Sequence, residues 1–498
     1  MAADGGASEG TLVRETNWWG AFVIGMAGVI LVIGLVGYAL VALGGVAITL
    51  FAVLTALGVF LCFCLAELAA TFPDKAGGLP AYAFETFKPL GANVAKHVGG
   101  LSTWAYWLGW FTVAPINAYL AALYITDLFG IPLGGTYGPI SSNFGSAWSV
   151  GVLATAAVIL LVMFVPCWLG IRLGATFATV LGIGSIIPLV LLILLPLGKP
   201  STIDFGRVSL FSGPTHLTWQ AIVGWAFIFT WTVLAMEAAA CYIGECKDPV
   251  RDAKIAMTAE GLFGFFIYLC LPLMVLAVLG TTGLADIAAK NEGFIGDANV
   301  LFRSYVDAIF GSNAFWKWFI GLALIVALLL SVLNALMGAS RGLWQNAHDG
   351  IMPRIFGRTN VHGSPSTAII LSLIASLLVL LVGSPLQIYI FSNMGYLFAL
   401  AVSLVGYSIF RARNLMPDRP LRMPAVMGPL AMLIGVAELL LWVVGGYYAA
   451  DYAVGAGFRW LYWVGLILLA LYLPLFLWRQ AEDRRMGTSS YSVRASAD

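Results

Sequence analysis

The segment GWAFIFTWTVLAMEAAACYI, Gly224–Ile243, holds an acidic residue, Glu237, inside an apolar run long enough to cross a membrane. A polar run, GECKDPVRDAK from Gly244 to Lys254, follows it at once. A carboxylate surrounded by hydrocarbon is costly, and such residues usually face a cavity, a partner charge or a substrate. The segment therefore indicates a membrane transport site. The alternative is a structural carboxyl that is protonated or bonded to a neighbouring helix.

The composition is that of a protein with many membrane spans. Hydrophobic residues make up 61% of the 498 residues and charged residues 10%, whereas an ordinary soluble domain has about 25% charged residues. A net charge of +1 without a basic stripe gives no sign of a nucleic-acid partner. The four histidines are scattered and the six cysteines lack zinc-finger spacing, so we predict no metal site and no cofactor.

Segments of about 20 apolar residues can be counted along the chain as candidate membrane helices. There are twelve, which predicts an all-α polytopic membrane protein. Their approximate limits are 18–43, 46–70, 97–128, 146–168, 173–197, 217–243, 255–280, 314–344, 366–384, 387–411, 427–449 and 458–478.

The distribution of Lys and Arg predicts the orientation. With the N-terminus inside, 19 of the 25 Lys and Arg residues fall on the inner side and 6 on the outer side. We therefore expect a multi-pass protein of the plasma membrane with both termini cytoplasmic. Residues 1–17 are predicted to be a disordered cytosolic tail and residues 481–498 a cytosolic C-terminal tail.

The first span is unusually rich in glycine, with Gly25, Gly28, Gly34 and Gly37. In a membrane such glycines serve either close helix packing or an unwound stretch that exposes backbone groups to a substrate. Their spacing does not separate these uses. Spans one and six each begin a five-span unit, and paired irregular spans in two halves point to a binding site at the membrane midplane.

Five segments resemble motifs of the amino acid/polyamine/organocation permeases. They follow spans two, six, eight and ten or lead into span nine. They are AELAATFPDKAGGLPAYAFETF (Ala66–Phe87), GECKDPVRDAKIAM (Gly244–Met257), SRGLWQNAHDGIMP (Ser340–Pro353), GSPSTA (Gly363–Ala368) and FRARNLMPDRPLRMP (Phe410–Pro424). Taken individually, the basic residues Lys247, Arg251 and Arg341 are interpreted as anchors of helix ends at the membrane interface.

The resemblance implies a LeuT-like fold. A ten-helix transport core at 18–411 would consist of two inverted five-helix repeats, about 18–197 and 217–411, and two peripheral helices would occupy 412–480. Alternating access is implied with this fold. An integral-membrane enzyme would need clustered His, Asp or Ser groups at one membrane face, and the sequence shows none.

The resemblance also implies the substrate-binding positions. Glu237 falls where many members carry an acidic residue, and Trp231 falls where arginine–agmatine antiporters place an aromatic lid over the substrate. The remaining positions are Gly25, Gly28, Val29 and Ile30 of span one and Phe227 and Thr230 of span six. The family's Gly-Ser-Gly run is absent from span one, and Ala235 stands where many members have Gly, so the sequence leaves open whether these spans are unwound.

The function that we expect is secondary active transport of an amino acid. The alternative is a cationic amine or polyamine, similar to putrescine or ethanolamine, carried by proton symport or exchange. Some proton-coupled members have a Lys in span five, where this chain has Ser185. Protonation of Glu237, substrate exchange, or an ion at Ser331 and Asn334 of span eight therefore all stay open, and the coupling ion is H⁺ or Na⁺. Glu438, outside the ten-span core, is interpreted as a packing or oligomer contact, and the sequence does not predict the oligomeric state.

Overall fold

The computed structural model describes residues 12–137, 148–211, 213–214, 217–290, 298–381 and 385–487. Within these ranges, eleven helices are long and apolar enough to cross a membrane, and a shorter apolar helix supplies a twelfth span. The predicted twelve-helix architecture is confirmed. In chain order, spans 1 to 12 are Trp18–Leu43, Val46–Thr71, Ala92–Phe129, Val150–Trp168, Ile171–Gly198, Trp219–Glu245, Pro249–Lys290, Ala314–His348, Ser366–Val379, Pro385–Ala412, Met427–Ala453 and Trp460–Arg485.

Spans 1 and 6 change their winding partway across the membrane. Span 1 is a 3₁₀-helix over Met26–Leu31, and span 6 is a 3₁₀-helix over Ala235–Glu245. In a 3₁₀-helix the backbone pairs with the third residue back in the chain and with poorer geometry, and long runs of it are uncommon. The two irregular segments lie five spans apart, at corresponding positions in the two halves.

Each of spans 1 to 5 has a counterpart five spans later, and the pairs of spans that pack together follow this correspondence. Span 1 packs on span 6 and span 2 on span 7. Span 3 packs on span 10, and its counterpart span 8 packs on span 5. This exchange of partners is the pattern expected of two inverted five-helix repeats, as in the LeuT-like fold. Spans 11 and 12 pack on the outside of this core, span 11 against spans 6 and 10 and span 12 mainly against span 10.

Several short elements lie between the spans and are not among the twelve predicted. The helix Leu79–Phe87 packs on spans 3 and 10, and the helix Ala298–Phe310 packs on spans 7 and 8. Thr136–Tyr137 and Trp148–Ser149 form a two-residue antiparallel pair. Single 3₁₀ turns occur between spans at Lys88–Leu90, Pro200–Thr202, Phe205–Arg207 and Arg354–Gly357, and another, Leu195–Gly198, ends span 5.

The chain before span 1 is attached to the loop after span 6. Thr16 N donates to Glu245 O at 3.2 Å, and Lys247 N donates to Thr16 O at 3.0 Å. Arg14 forms an ion pair of 2.6 Å with Asp74 in the loop after span 2. Arg14 and Thr16, within the segment that the sequence assigns to a disordered tail, therefore pair with two loops. Residues 1–11 and 488–498, the rest of the predicted tails, lie outside the described residues.

A buried carboxylate fastens span 2 to the loop after span 10. Glu67 accepts hydrogen bonds from Tyr407 Oη at 2.6 Å, Arg411 Nη1 at 2.7 Å and Met423 N at 3.0 Å, and it also pairs with Arg419. Apart from Tyr407 of span 10, the residues involved belong to the first and last of the five motifs. In this structure, these two motifs join span 2 to the end of span 10 and to the loop that follows it.

Candidate substrate site

The two irregular segments touch backbone to backbone. A Cβ atom built at Gly28 would lie 1.9 Å from the carbonyl oxygen of Ala235, and one built at Gly25 would lie 2.5 Å from the amide nitrogen of Ala239. Neither distance leaves room for a side chain. Gly25 and Gly28 therefore serve close packing of spans 1 and 6, and exposure of backbone groups of span 1 to a substrate stays a prediction.

Side chains of spans 7 and 8 bond the backbone groups of the irregular segments. Ser331 Oγ donates to the carbonyl of Ala27 at 2.7 Å. Tyr268 Oη lies 2.8 Å from the carbonyl of Gly28 and 2.6 Å from that of Thr232, so its single proton is shared between spans 1 and 6. Unpaired backbone groups at this depth would be costly, which explains the polar residues in these otherwise apolar helices.

A second carboxyl takes part in this bonding. Glu260 of span 7 is fully buried, and its Oε2 accepts the backbone N–H of Ala239 at 2.9 Å. In the sequence, Glu260 is an acidic residue near the start of predicted span 255–280. Because an α-helix normally satisfies its own amides, the sequence gives no signal that this carboxyl would serve span 6.

Glu237 is fully buried and bonded to spans 3 and 10. Its Oε1 accepts hydrogen bonds from Tyr396 Oη at 2.9 Å, Tyr106 Oη at 3.0 Å and Trp110 Nε1 at 3.1 Å. In this conformation the carboxyl is thus bonded to neighbouring helices, as in the alternative stated for it. Tyr106 and Trp110 are four residues apart, which places them on one face of span 3.

A narrow crevice lies next to this carboxyl, between spans 1, 3, 6 and 10. It is too tight to admit a water molecule. Trp231 lines it, is 2% exposed, and donates from Nε1 to Ser392 Oγ at 2.6 Å. The ring of Trp231 also lies 4.5 Å from that of Tyr389. The other lining residues are Leu31, Gly109, Trp110, Val113, Ala235 and Tyr396.

Glu237 itself is not among the residues that line the crevice. It lies behind Trp110 and Tyr396, which do line it and which donate to its carboxyl. Glu237 is thus in contact with two of the aromatic side chains that line the crevice.

The other predicted substrate-binding residues are buried but do not line the crevice. Val29 and Ile30 are fully buried within the irregular segment of span 1. Thr230 Oγ1 donates to the carbonyl of Phe227 at 2.6 Å, and Asn393 of span 10 donates to Thr230 Oγ1 at 3.1 Å. Phe227 also packs against the glycines of span 11. These two residues therefore fix span 6 against spans 10 and 11.

Of the other three candidate coupling residues, Ser331 and Asn334 bond to spans 1 and 6, whereas Ser185 does not. Ser331 bonds to span 1 as described, and the side-chain oxygen of Asn334 accepts a hydrogen bond from Tyr242 of span 6. Ser185, in contrast, donates to the carbonyl of Leu181 in its own helix. Span 8 thus contacts both irregular segments through polar groups.

Spans 1 and 6 meet at some distance from the face of the protein that carries the chain termini. An ion pair and the loop after span 2 fill the space in between. Arg341 of span 8 pairs with Glu245 at the end of span 6, and both side chains are 1% exposed. Arg341 is therefore not the interface anchor that the sequence suggested. Gly77, with a φ of 79°, donates its N–H to the carbonyl of Cys241 and packs against Gly342. The loop after span 2 is thereby wedged between spans 6 and 8.

Comparison with known proteins agrees with this architecture. The family model described as amino acid permease matches residues 17–472. An uncharacterised transporter of Legionella pneumophila is 23% identical over 373 residues, which cover 71% of this chain and 72% of that protein. A putative arginine/ornithine antiporter of Escherichia coli is 24% identical over 62% of this chain and 61% of its own length. A probable amino-acid permease of Schizosaccharomyces pombe is 23% identical over 65% and 58%. The chain thus spans less than two thirds of the last two relatives.

The match covers nearly the whole chain, from just before span 1 into span 12, and the twelve-helix fold with its paired irregular segments agrees with it. The protein belongs to the amino acid permease family.

Proposed function

We propose that this protein is a secondary active transporter that moves an amino acid across the plasma membrane by alternating access. The observation that supports this most is the crossing of the irregular segments Met26–Leu31 and Ala235–Glu245 at corresponding positions of the two halves. Discontinuous helices of this kind form the substrate sites of inverted-repeat transporters near the membrane midplane.

The substrate site is proposed to form where the crevice opens. Backbone amides of Gly28, Val29 and Ile30 would hold the α-carboxylate, as amides at interrupted helices do in such transporters. Trp231 would be the lid, because it lines the crevice and its bond to Ser392 holds it in place. Since the crevice excludes even water, the described conformation is a closed one, and substrate entry requires Trp231 to move.

A cationic amine or polyamine is the alternative substrate, and one feature favours it. Three aromatic side chains, Trp110, Trp231 and Tyr396, line the crevice, with Glu237 directly behind two of them. Aromatic faces attract ammonium groups, by about 0.5–2 kcal/mol depending on desolvation. A carboxylate behind the rings adds to that attraction. The name of the Escherichia coli relative includes arginine and ornithine, both of which carry a cationic side chain.

Proton coupling at Glu237 is proposed in preference to a sodium site at Ser331 and Asn334. The hydroxyl of Ser331 already donates to the carbonyl of Ala27, which a sodium ion at this position would need as a ligand. Glu237, in contrast, contacts two phenols and one indole, so a change of its charge alters the positions of groups that line the crevice.

The face that carries the described chain ends is proposed to be cytoplasmic, because that face holds most of the Lys and Arg residues. Val361, in the loop before span 9, and Ser312, before span 8, are both exposed and mark the two faces. Val361→Cys should react with a membrane-impermeant maleimide only after cells are permeabilised, and Ser312→Cys should react in intact cells. The reverse result would contradict this orientation.

Replacement of Trp231 tests the proposed lid. Trp231→Ala should lower transport by roughly tenfold, equivalent to about 1.4 kcal/mol, because the ring that covers the substrate is lost. Trp219→Ala is the matched control, since Trp219 lies in the same span but is 56% exposed and does not line the crevice. Uptake by purified protein in liposomes measures both variants. Unchanged transport by Trp231→Ala would assign Trp231 to packing.

Replacement of Glu237 tests the proposed coupling. Glu237→Gln keeps the size and part of the hydrogen bonding but removes the titratable charge. Uptake should fall and its dependence on pH should flatten between about pH 5 and pH 8, the range over which a buried carboxyl can titrate. Reduced affinity for amines but not for zwitterionic amino acids would favour the alternative substrate class.

The control for this variant is Glu438→Gln. Glu438 is another buried carboxyl, but it lies in peripheral span 11, so its replacement should leave the pH profile of uptake unchanged. If Glu237→Gln also transported with the pH profile and affinity of the unmodified protein, Glu237 would have no direct role in coupling.

A further inference from the structure

We propose that the membrane-facing surface between spans 3, 10 and 12 holds one anionic phospholipid, with an acyl chain in an apolar groove and the phosphate in an adjoining polar pocket. This site lies on the outer surface of the protein, away from the contact between spans 1 and 6, and does not depend on the identity of the transported substrate. The argument rests on two cavities that share a residue.

The first cavity is a groove of about 450 Å³ with an almost entirely apolar lining. It is formed by Leu101 of span 3, Phe398 and Val402 of span 10, and Leu466 and Leu473 of span 12. Its volume is within the range of about 300–1,000 Å³ that is usual for sites of small organic ligands. An apolar groove on the membrane face of a protein is a suitable place for an acyl chain.

The groove lies beside an interruption in span 12. Its two helical parts, Trp460–Ala470 and Tyr472–Arg485, meet at Leu471. Tyr472 then packs directly on span 3, since a Cβ atom at Gly100 would lie 2.6 Å from its ring. Trp104 Nε1 donates to the carbonyl of Leu468 at 2.8 Å, which fixes the other side of the interruption.

The second cavity is a polar pocket of about 270 Å³ at the end of the groove nearest the chain termini. His97 lines both cavities, and its Nδ1 lies 3.2 Å from Tyr472 Oη. Asn93 and Lys96 at the start of span 3 and Arg479, Gln480 and Asp483 at the end of span 12 also line the pocket. The two cavities together thus offer an apolar part and a polar part in the order found along a phospholipid.

The charges at the pocket favour an anion. Asp483 is bonded by two guanidinium groups, Arg479 Nε at 3.0 Å and Arg354 Nη2 at 3.1 Å. Lys96 adds a third cationic side chain, whereas Glu482, which accepts the backbone N–H of Arg354, adds only one more carboxylate. Basic pockets between membrane helices are typical sites for anionic lipid headgroups. A soluble phosphate would leave the apolar groove unfilled, so the lipid fits both cavities.

The experiment compares phosphatidylglycerol with phosphatidylcholine of the same acyl chains, added to the full-length protein in detergent. Native mass spectrometry should show one phosphatidylglycerol retained per chain, and the melting temperature should rise more with phosphatidylglycerol than with phosphatidylcholine. Ala470→Trp, at the edge of the groove, should abolish retention of both lipids. Leu433→Trp, at an exposed position of span 11, is the matched control and should retain the lipid.

Lys96→Gln tests the headgroup separately. It should remove the preference for phosphatidylglycerol while retention of phosphatidylcholine stays unchanged, a change of selectivity that misfolding does not produce. Lys88→Gln, which removes an exposed Lys bonded to Glu85, is the control. Equal retention of the two lipids by the unmodified protein, or undiminished retention by Ala470→Trp, would overturn the proposal.

Discussion

The contact between the backbones of spans 1 and 6 is the constraint on which the rest of the core depends. At Gly28 there is no space for a single additional carbon atom, since it would lie 1.9 Å from the carbonyl oxygen of Ala235. Such an approach brings two irregular segments together at the centre of a protein that crosses the membrane. Each backbone group left without a partner in hydrocarbon costs several kcal/mol, so the neighbouring spans must provide hydrogen bonds.

The positions of the polar side chains in the apolar spans follow from this need. Ser331, Tyr268 and Glu260 bond backbone groups of the irregular segments from spans 7 and 8. The carboxyl of Glu237, which is carried into the core by span 6, is bonded by Tyr106 of span 3 and Tyr396 of span 10. The same bonds hold aromatic rings around the crevice. One set of contacts thus bonds the backbone where spans 1 and 6 meet, and a second set, centred on Glu237, positions the rings of the proposed site.

The sequence predicts the spans well because about 20 apolar residues are needed to cross the bilayer, and Glu237 and the glycines of span 1 stand out against that background. It does not predict the partners of Glu237, because Tyr396 is 159 residues away and one sequence carries no record of such contacts. For the same reason the sequence points to the membrane interface for Arg341, which instead pairs with the buried Glu245. Phe227 packs on span 11 in this conformation, and its role in substrate binding stays a prediction.

Counterflow by Gly28→Ala in liposomes tests the central claim most directly. The added methyl group must separate spans 1 and 6, so transport should be lost while the protein stays folded and monodisperse. Gly283→Ala is the control, since a Cβ atom there meets only ordinary contacts, the nearest at 3.7 Å, and it should transport normally. Transport by Gly28→Ala at the rate of the unmodified protein would show that the close crossing of the two spans is not required, and would contradict the account.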